Sequence, residues 1–440
     1  MDFEKWLETG EELMGGDATV FDLSVNAFGH AAPNLTGVKD LEFVTGNAFF
    51  KRNWVTAPAS TEDLDGLGPL FNARSCSSCH LRDGRAAPPS GPGETPVGLL
   101  YRLSVPDGNQ IKPDLYYGGQ FNHLAIMGVD PEGSVSVSYE ELPGSYPDGN
   151  TYSLRVPKST FTDLNYGELS TDLMISPRIA PHMIGLGLLE AIDESTLLSF
   201  EDESDANGDG ISGRANYVWE IEKDQLSIGR FGWKSNQPTV RQQVAGAFLG
   251  DIGITSKLFP EQACASLQDQ CMEAYSETGY ELDDKILDRV TLYSATLAVS
   301  GRRNWDQAEV LKGKAFFEQM NCTGCHVSKI TTGTSGEFPE FFNQTIRPYT
   351  DLLLHDMGEG LADHRPDELA TGKEWRTPPL WGIGLFSLVS GHTNYLHDGR
   401  ARNLEEAILW HGGEAENSKE AFKKLKQEER QFVIQFLESL

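Results

Sequence analysis

Cys76-Ser77-Ser78-Cys79-His80 and Cys322-Thr323-Gly324-Cys325-His326 are two copies of one pentapeptide, C-x-x-C-H. Two thiols three positions apart reach the two vinyl groups of one porphyrin. The histidine that follows then lies beneath the iron as its axial ligand, so the pattern is that of covalent c-type haem attachment. A zinc ribbon needs a second C-x-x-C roughly 15 to 20 residues on, and neither copy has one. A thioredoxin-type pair has no use for the histidine.

The surroundings of the two motifs also match. Gly46-Asn47-Ala48-Phe49-Phe50 precedes the first and Gly313-Lys314-Ala315-Phe316-Phe317 the second. Downstream, Pro181-His182-Met183-Ile184-Gly185-Leu186-Gly187-Leu188 parallels Pro378-Pro379-Leu380-Trp381-Gly382-Ile383-Gly384-Leu385. Matched stretches flanking matched motifs in the same order argue for a duplication. The expected fold is therefore mainly α, with two cytochrome c-like haem domains over residues 1–275 and 276–440. Residues 281–298 read as a connecting helix. Residues 422–440 read as a closing helix, with Leu425, Phe432, Val433, Phe436, Leu437 and Leu440 at helical spacing. Residues 95–168 are rich in Gly, Tyr, Ser and Pro and contain the alternating run Ser134-Val135-Ser136-Val137-Ser138-Tyr139. They read as loops and β-hairpins inserted in the first domain, covering a haem face.

Composition narrows the partners. The 440 residues include 36 Lys+Arg against 65 Asp+Glu, a net charge of −29. Such a chain is repelled by nucleic acid and by anionic membranes. No apolar run is long enough to span a membrane. Residues 1–6 carry no basic signal-peptide start. Haem attachment of this kind takes place in an exported compartment, so the expected location is periplasmic, the leader being absent from this sequence. An oxidising compartment favours a local disulfide between Cys264 and Cys271 over two free thiols.

Asp205-Ala206-Asn207-Gly208-Asp209-Gly210-Ile211 fits the front of a calcium loop, with oxygen ligands from Asp205, Asn207 and Asp209 and the carbonyl of Ile211. The twelfth position, usually Glu, holds Asn216, and an Asx-rich turn without metal is the competing reading. Among the remaining histidines, His397 and His411 stand out. His411 ends a helical stretch, 404–411, next to Gly412-Gly413; a helix-end histidine near the carbonyl pole is the plain alternative to a ligand. His355 and Met357 offer competing ligands. His30, His123, His182, His364 and His392 have no constellation around them.

Several further motifs carry a resemblance. They are Gly68-Pro69-Leu70-Phe71-Asn72-Ala73, Asp83-Gly84-Arg85, Ser176-Pro177-Arg178, Gly229-Arg230-Phe231-Gly232-Trp233-Lys234, Trp375-Arg376-Thr377-Pro378-Pro379 and Tyr395-Leu396-His397-Asp398-Gly399-Arg400. From about residue 10 to 440 the chain resembles the diheme oxidoreductases, also labelled thiol oxidoreductases, within the bacterial diheme cytochrome c peroxidase group. The resemblance implies two unequal haems. The one on His326 would transfer electrons, and the one on His80 would meet hydrogen peroxide. The peroxidases place a methionine 14 residues after the H-D-G histidine as distal ligand; His397 plus 14 is His411 here, which implies a bis-histidine haem. No histidine precedes Pro177-Arg178-Ile179-Ala180-Pro181 to cap the other haem, and Met174 is nearest. Trp233 matches the group's inter-haem relay, Gln243 its distal glutamine, and Asp251 sits two residues short of its distal carboxylate.

The resemblance implies a peroxidase-like enzyme that takes electrons from a small redox protein, a cytochrome or cupredoxin, and that is often a homodimer. Two alternatives stand beside it. One is oxidation of a partner protein or a thiol or sulfur substrate. The other is a non-enzymatic electron carrier or haem sensor with both irons six-coordinate.

Overall fold

The computed structural model describes residues 4–108, 110–274 and 279–440. Residues 1–3 and the 275/276 domain boundary drawn from the sequence lie outside them. The elements that position the site are helix α1 (Val38–Lys51), strands β1 (Leu99–Asp107), β2 (Ser134–Ser145), β3 (Thr151–Thr162) and β4 (Met174–Ile179), and helices α2 (Val240–Ala247), α3 (Asp284–Ala295), α4 (Ala308–Gln319), α5 (Leu404–Leu409) and α6 (Gln427–Ser439).

The repeated sequence is repeated structure. A Cβ on Gly46 would lie 2.1 Å from the carbonyl oxygen of Arg289, and one on Gly313 1.9 Å from that of Phe432. Each glycine is thus the contact point of a helix crossing, α1 on α3 and α4 on α6, where only a hydrogen fits. Four residues on, Phe50 and Phe317 turn the same face to their motif histidines, with ring centroids 6.2 Å from His80 and 6.0 Å from His326. The downstream stretches also correspond. The amides of Gly185 and Gly382 donate to Leu297 O and Leu440 O, at 3.1 and 2.9 Å. The two stretches also cross each other reciprocally. Trp381 occupies the space beside Gly185, and Ile184 the space beside Gly382. Helix α3, read from the sequence as a connector, is by these contacts the counterpart of the closing helix α6.

Residues 6–20 lie against the second half of the chain. Thr19–Val20 pairs in parallel with Val299–Ser300. The buried Glu11 carboxylate accepts from Arg302 at 2.6 Å and from Lys314.

The expectation of a mainly α fold is corrected: 29% of the chain is helical and 19% is strand. The strands form seven small sheets among the described residues. The reason is compositional. With 45 glycines and 22 prolines, the segments around the motifs cannot sustain helices and settle into two- to four-residue ladders. The alternating run at 134–139 extends into β2, which pairs with β3 over twelve residues each. Strand β1 pairs with β4, setting Leu100 opposite Arg178, and so carries the inserted segment to the motif region.

Candidate functional site

One cavity of about 620 Å³ runs between the two halves and is lined by both motifs. Cys76, Cys79 and His80 face it from one side; Cys322, Cys325 and His326 face it from the other. The four cysteines are unbridged. Burial pushes the Cys76, Cys79 and Cys322 thiols up to about 12, so they stand as neutral thiols rather than as reactive thiolates. The remaining pair, Cys264 and Cys271, forms a disulfide with Cα atoms 5.7 Å apart.

Hydrogen bonding sorts the ten histidines. Three line the cavity with Nδ1 tied to a main-chain carbonyl: His80 to Pro181 O at 2.7 Å, His326 to Tyr349 O at 2.9 Å and His411 to Ala407 O at 2.7 Å. Tying Nδ1–H to a carbonyl fixes the tautomer and leaves Nε2 as a lone pair, the arrangement of a metal-ligating imidazole. Burial lowers His80 and His326 to about 4 and lowers His411, which keeps all three neutral. His355 is different. Asp351 holds its Nε2 at 2.8 Å and Glu414 its Nδ1 at 2.7 Å, so both nitrogens are engaged. His397 stacks on Trp375 at 3.7 Å, and its carbonyl accepts from Ile179 N at 2.6 Å. His182 packs between Phe28 and Phe386 with both nitrogens buried and unpartnered. Met357 lines the cavity; Met174, at the end of β4, is not among its lining residues.

Four arginines, Arg85, Arg102, Arg178 and Arg376, also line the cavity. Arg178 pairs with Asp367 at 2.8 Å. Among the described residues the other three have no carboxylate within ion-pair distance. They donate to Leu396 O, to Gln120 Oε1 and to Gly232 O respectively, and Nε of Arg85 and of Arg102 is buried without a partner. A guanidinium does not shed its charge, and buried unpaired cations are costly. These three need anions from whatever fills the cavity. Two haems, each with two propionates, would supply them, and the free thiols and lone-pair imidazoles would complete the donor set. The residues fit the group.

Beside the first motif lies a polar cluster. Asp251 sits in a widened helical turn, 248–252, that follows α2. Its carboxylate lies 2.8 Å from Gln120 Nε2, which is also 2.8 Å from Asn72 Oδ1, while Gln120 Oε1 accepts from Arg102 at 3.2 Å. Burial raises the Asp251 carboxyl to about 6, against the opposing pull of Gln120 and Arg102. Gln243, on α2, faces the same cavity and makes no side-chain hydrogen bond among the described residues, whereas its neighbour Gln242 is spent on Ile221 N and Trp219 O. Sequence reading found Asp251 and Gln243 but missed Arg102, Gln120 and Asn72. Arg102 left a signal, a lone cation in the apolar strand Leu99-Leu100-Tyr101-Arg102-Leu103; Gln120 left none.

Trp233 is connected to both motif histidines through hydrogen bonds joined by short backbone segments. Its indole N–H donates to Ile179 O at 2.8 Å, two residues before Pro181, whose carbonyl holds His80. Its own carbonyl accepts from Arg376 N at 2.9 Å. Four residues on, Leu380 N donates to Pro348 O at 2.8 Å, and the next carbonyl, Tyr349 O, holds His326.

Residues 205–211 form a turn in which Asp205 Oδ1 accepts from Gly210 N and Asn207 Oδ1 from Asp209 N, bonds that an Asx-rich turn and the front of a calcium loop share.

Fold and cavity together define a tandem protein whose two halves each present a thiol–thiol–histidine motif to one shared cavity. The family comparison then places it: a model described as "Di-haem oxidoreductase, putative peroxidase" matches residues 9–102 and 113–440, and the chain belongs to that di-haem oxidoreductase family. No curated protein matches. Among solved structures, a Kuenenia stuttgartiensis hydrazine synthase pressurised with xenon is similar at 15% identity, over 90% of this chain and 92% of that one, with a TM-score of 0.33. Among the described residues no helix is long and apolar enough to cross a membrane.

Proposed function

We propose that the chain is a peroxidase-type oxidoreductase that reduces hydrogen peroxide beside His80 with electrons entering beside His326. The asymmetry of the cavity carries this reading. Two lone-pair imidazoles, His326 and His411, serve the second motif. Beside the first motif the one imidazole with Nδ1 tied to a carbonyl is His80, and the polar cluster of Asp251, Gln120 and Arg102 lines the same part of the cavity. The reaction is H₂O₂ + 2 H⁺ + 2 e⁻ → 2 H₂O, and the two haems, when bound, supply the redox centres for it.

The chain supplies the rest. Cys76 with Cys79, and Cys322 with Cys325, would hold the groups through thioethers, with His80 and His326 as ligands. His411 would be a further ligand at the second site. Asp251 takes the proton from one peroxide oxygen and returns it to the other, and Gln243 orients the peroxide by its amide. Trp233 relays electrons along the route through Ile179 and Arg376. Thioether attachment and the Cys264–Cys271 disulfide both suit an exported, periplasmic location. The charge of −29 suits a basic cytochrome or cupredoxin as electron donor.

Low-temperature EPR of the oxidised protein, before and after one equivalent of peroxide, tests this. The expected result is a high-spin signal that peroxide abolishes beside a low-spin signal that persists. Two low-spin signals that ignore peroxide, in both the oxidised and the half-reduced protein, would exclude the enzyme and favour a carrier.

A further inference from the structure

Strands β2 and β3 form a long hairpin with one end in each half of the molecule. Its base is fixed in the first half. Phe161 meets Phe121 and Tyr101 edge-on, at 5.0 and 5.3 Å between centroids. Ser159 Oγ donates to Tyr101 Oη at 3.0 Å, and Tyr139 Oη to Pro89 O at 2.7 Å. The far end grips the second half. Tyr146 Oη donates to Glu405 Oε1 at 2.6 Å. Arg402 reaches Glu141 at 3.0 Å and Ser153 O at 2.8 Å. Arg155 donates to Arg400 O at 2.8 Å and Gly399 O at 3.1 Å. Arg430 covers the Tyr146 ring at 3.8 Å and bonds Asp148 at 2.9 Å.

Every gripped residue except Arg430 lies in 399–406, the approach to α5 and its first turn. That helix has six residues, too few to hold itself in water. It carries Ala407, whose carbonyl orients the His411 imidazole, and Ile408, whose carbonyl accepts from His411 N at 3.1 Å. We infer that the β2–β3 hairpin is a strap by which the first half of the chain holds His411 in place over the second motif, making Tyr146 and Arg402 positioning residues for that ligand. The inference rests on the assignment of His411 above.

The test is carbon monoxide binding to the fully reduced holoprotein, read together with the low-spin signal of the oxidised form. Carbon monoxide reaches the second iron only when His411 leaves it. The double variant Tyr146→Phe/Arg402→Ala should bind carbon monoxide there at least about tenfold faster than wild type, as expected for the loss of the hydrogen bonds from Tyr146 to Glu405 and from Arg402 to Glu141 and Ser153, with the first site's spectrum unchanged. Tyr146→Phe alone, which deletes one hydroxyl, should move the rate a few-fold in the same direction and serves where the double variant does not fold. A wild-type rate in either folded variant overturns the strap. His411→Ala separates the two readings. A persisting low-spin signal in that variant removes the ligand assignment itself, while its loss beside unaffected hairpin variants removes only the strap.

Discussion

The two motif sites share a helix crossing at glycine, a phenylalanine against the histidine and a carbonyl under Nδ1, yet they differ in what faces the cavity. At the second site a short helix delivers His411. At the first, an inserted segment delivers Arg102 and Gln120 to the Asp251 carboxyl, which burial, against their pull, keeps protonated until about pH 6. A repeated frame can carry two chemistries, because the frame fixes the group and the additions decide what else can reach it.

Substitutions can break that contrast. The largest effect should come from Asp251→Asn, which leaves both motifs whole. Peroxide turnover should fall about 10²- to 10⁴-fold, the range of a lost proton shuttle, with the low-spin signal intact. The same carboxylate sets a pH limb. It accepts a proton only when ionised, so the rate should fall as pH drops through about 6, and Asp251→Asn should flatten that limb. A limb that survives the substitution belongs to another group. His411→Ala should convert the second site, and that site alone, from low to high spin in EPR. Trp233→Phe should slow electron transfer between the sites, followed by stopped flow after peroxide, with both haems still attached to the denatured chain on a haem-stained gel. The smallest effects test the shared frame. Gly46→Ala and Gly313→Ala each drive a methyl into a carbonyl across a helix crossing and should cost about 1–3 kcal/mol apiece in denaturant melts. If one is tolerated and the other is not, the two crossings are not equivalent.

What the sequence displays is what chemistry or contact pins to a fixed spacing. The thiol–thiol–histidine register is set by the porphyrin it serves, and Gly46 and Gly313 are set by helices that touch. Trp233, Gln243 and Asp251 were reached through a family pattern rather than through periodicity. The structure brings all three to the cavity wall. The β content was legible only at 134–139, where alternation persists; ladders of two residues, such as Thr19–Val20 with Val299–Ser300, have no period to read. Gln120 and the unpaired arginines were hidden for another reason. Gln120 acquires its meaning from Asn72 and Asp251, and Arg85 and Arg376 from Leu396 and Gly232, all more than forty positions away, and nothing local distinguishes them from surface residues.

The reciprocal contact of Trp381 on Gly185 and Ile184 on Gly382 has the form of a two-fold dimer interface folded into one polypeptide. A true two-fold pair would hold two identical centres, with no downhill direction for an electron between them. A chain that carries both copies is free to insert a segment into one and leave the other alone. On the function proposed above, the insertion at 95–168 would act as a rectifier, turning a symmetric junction into one through which charge has a preferred direction of travel.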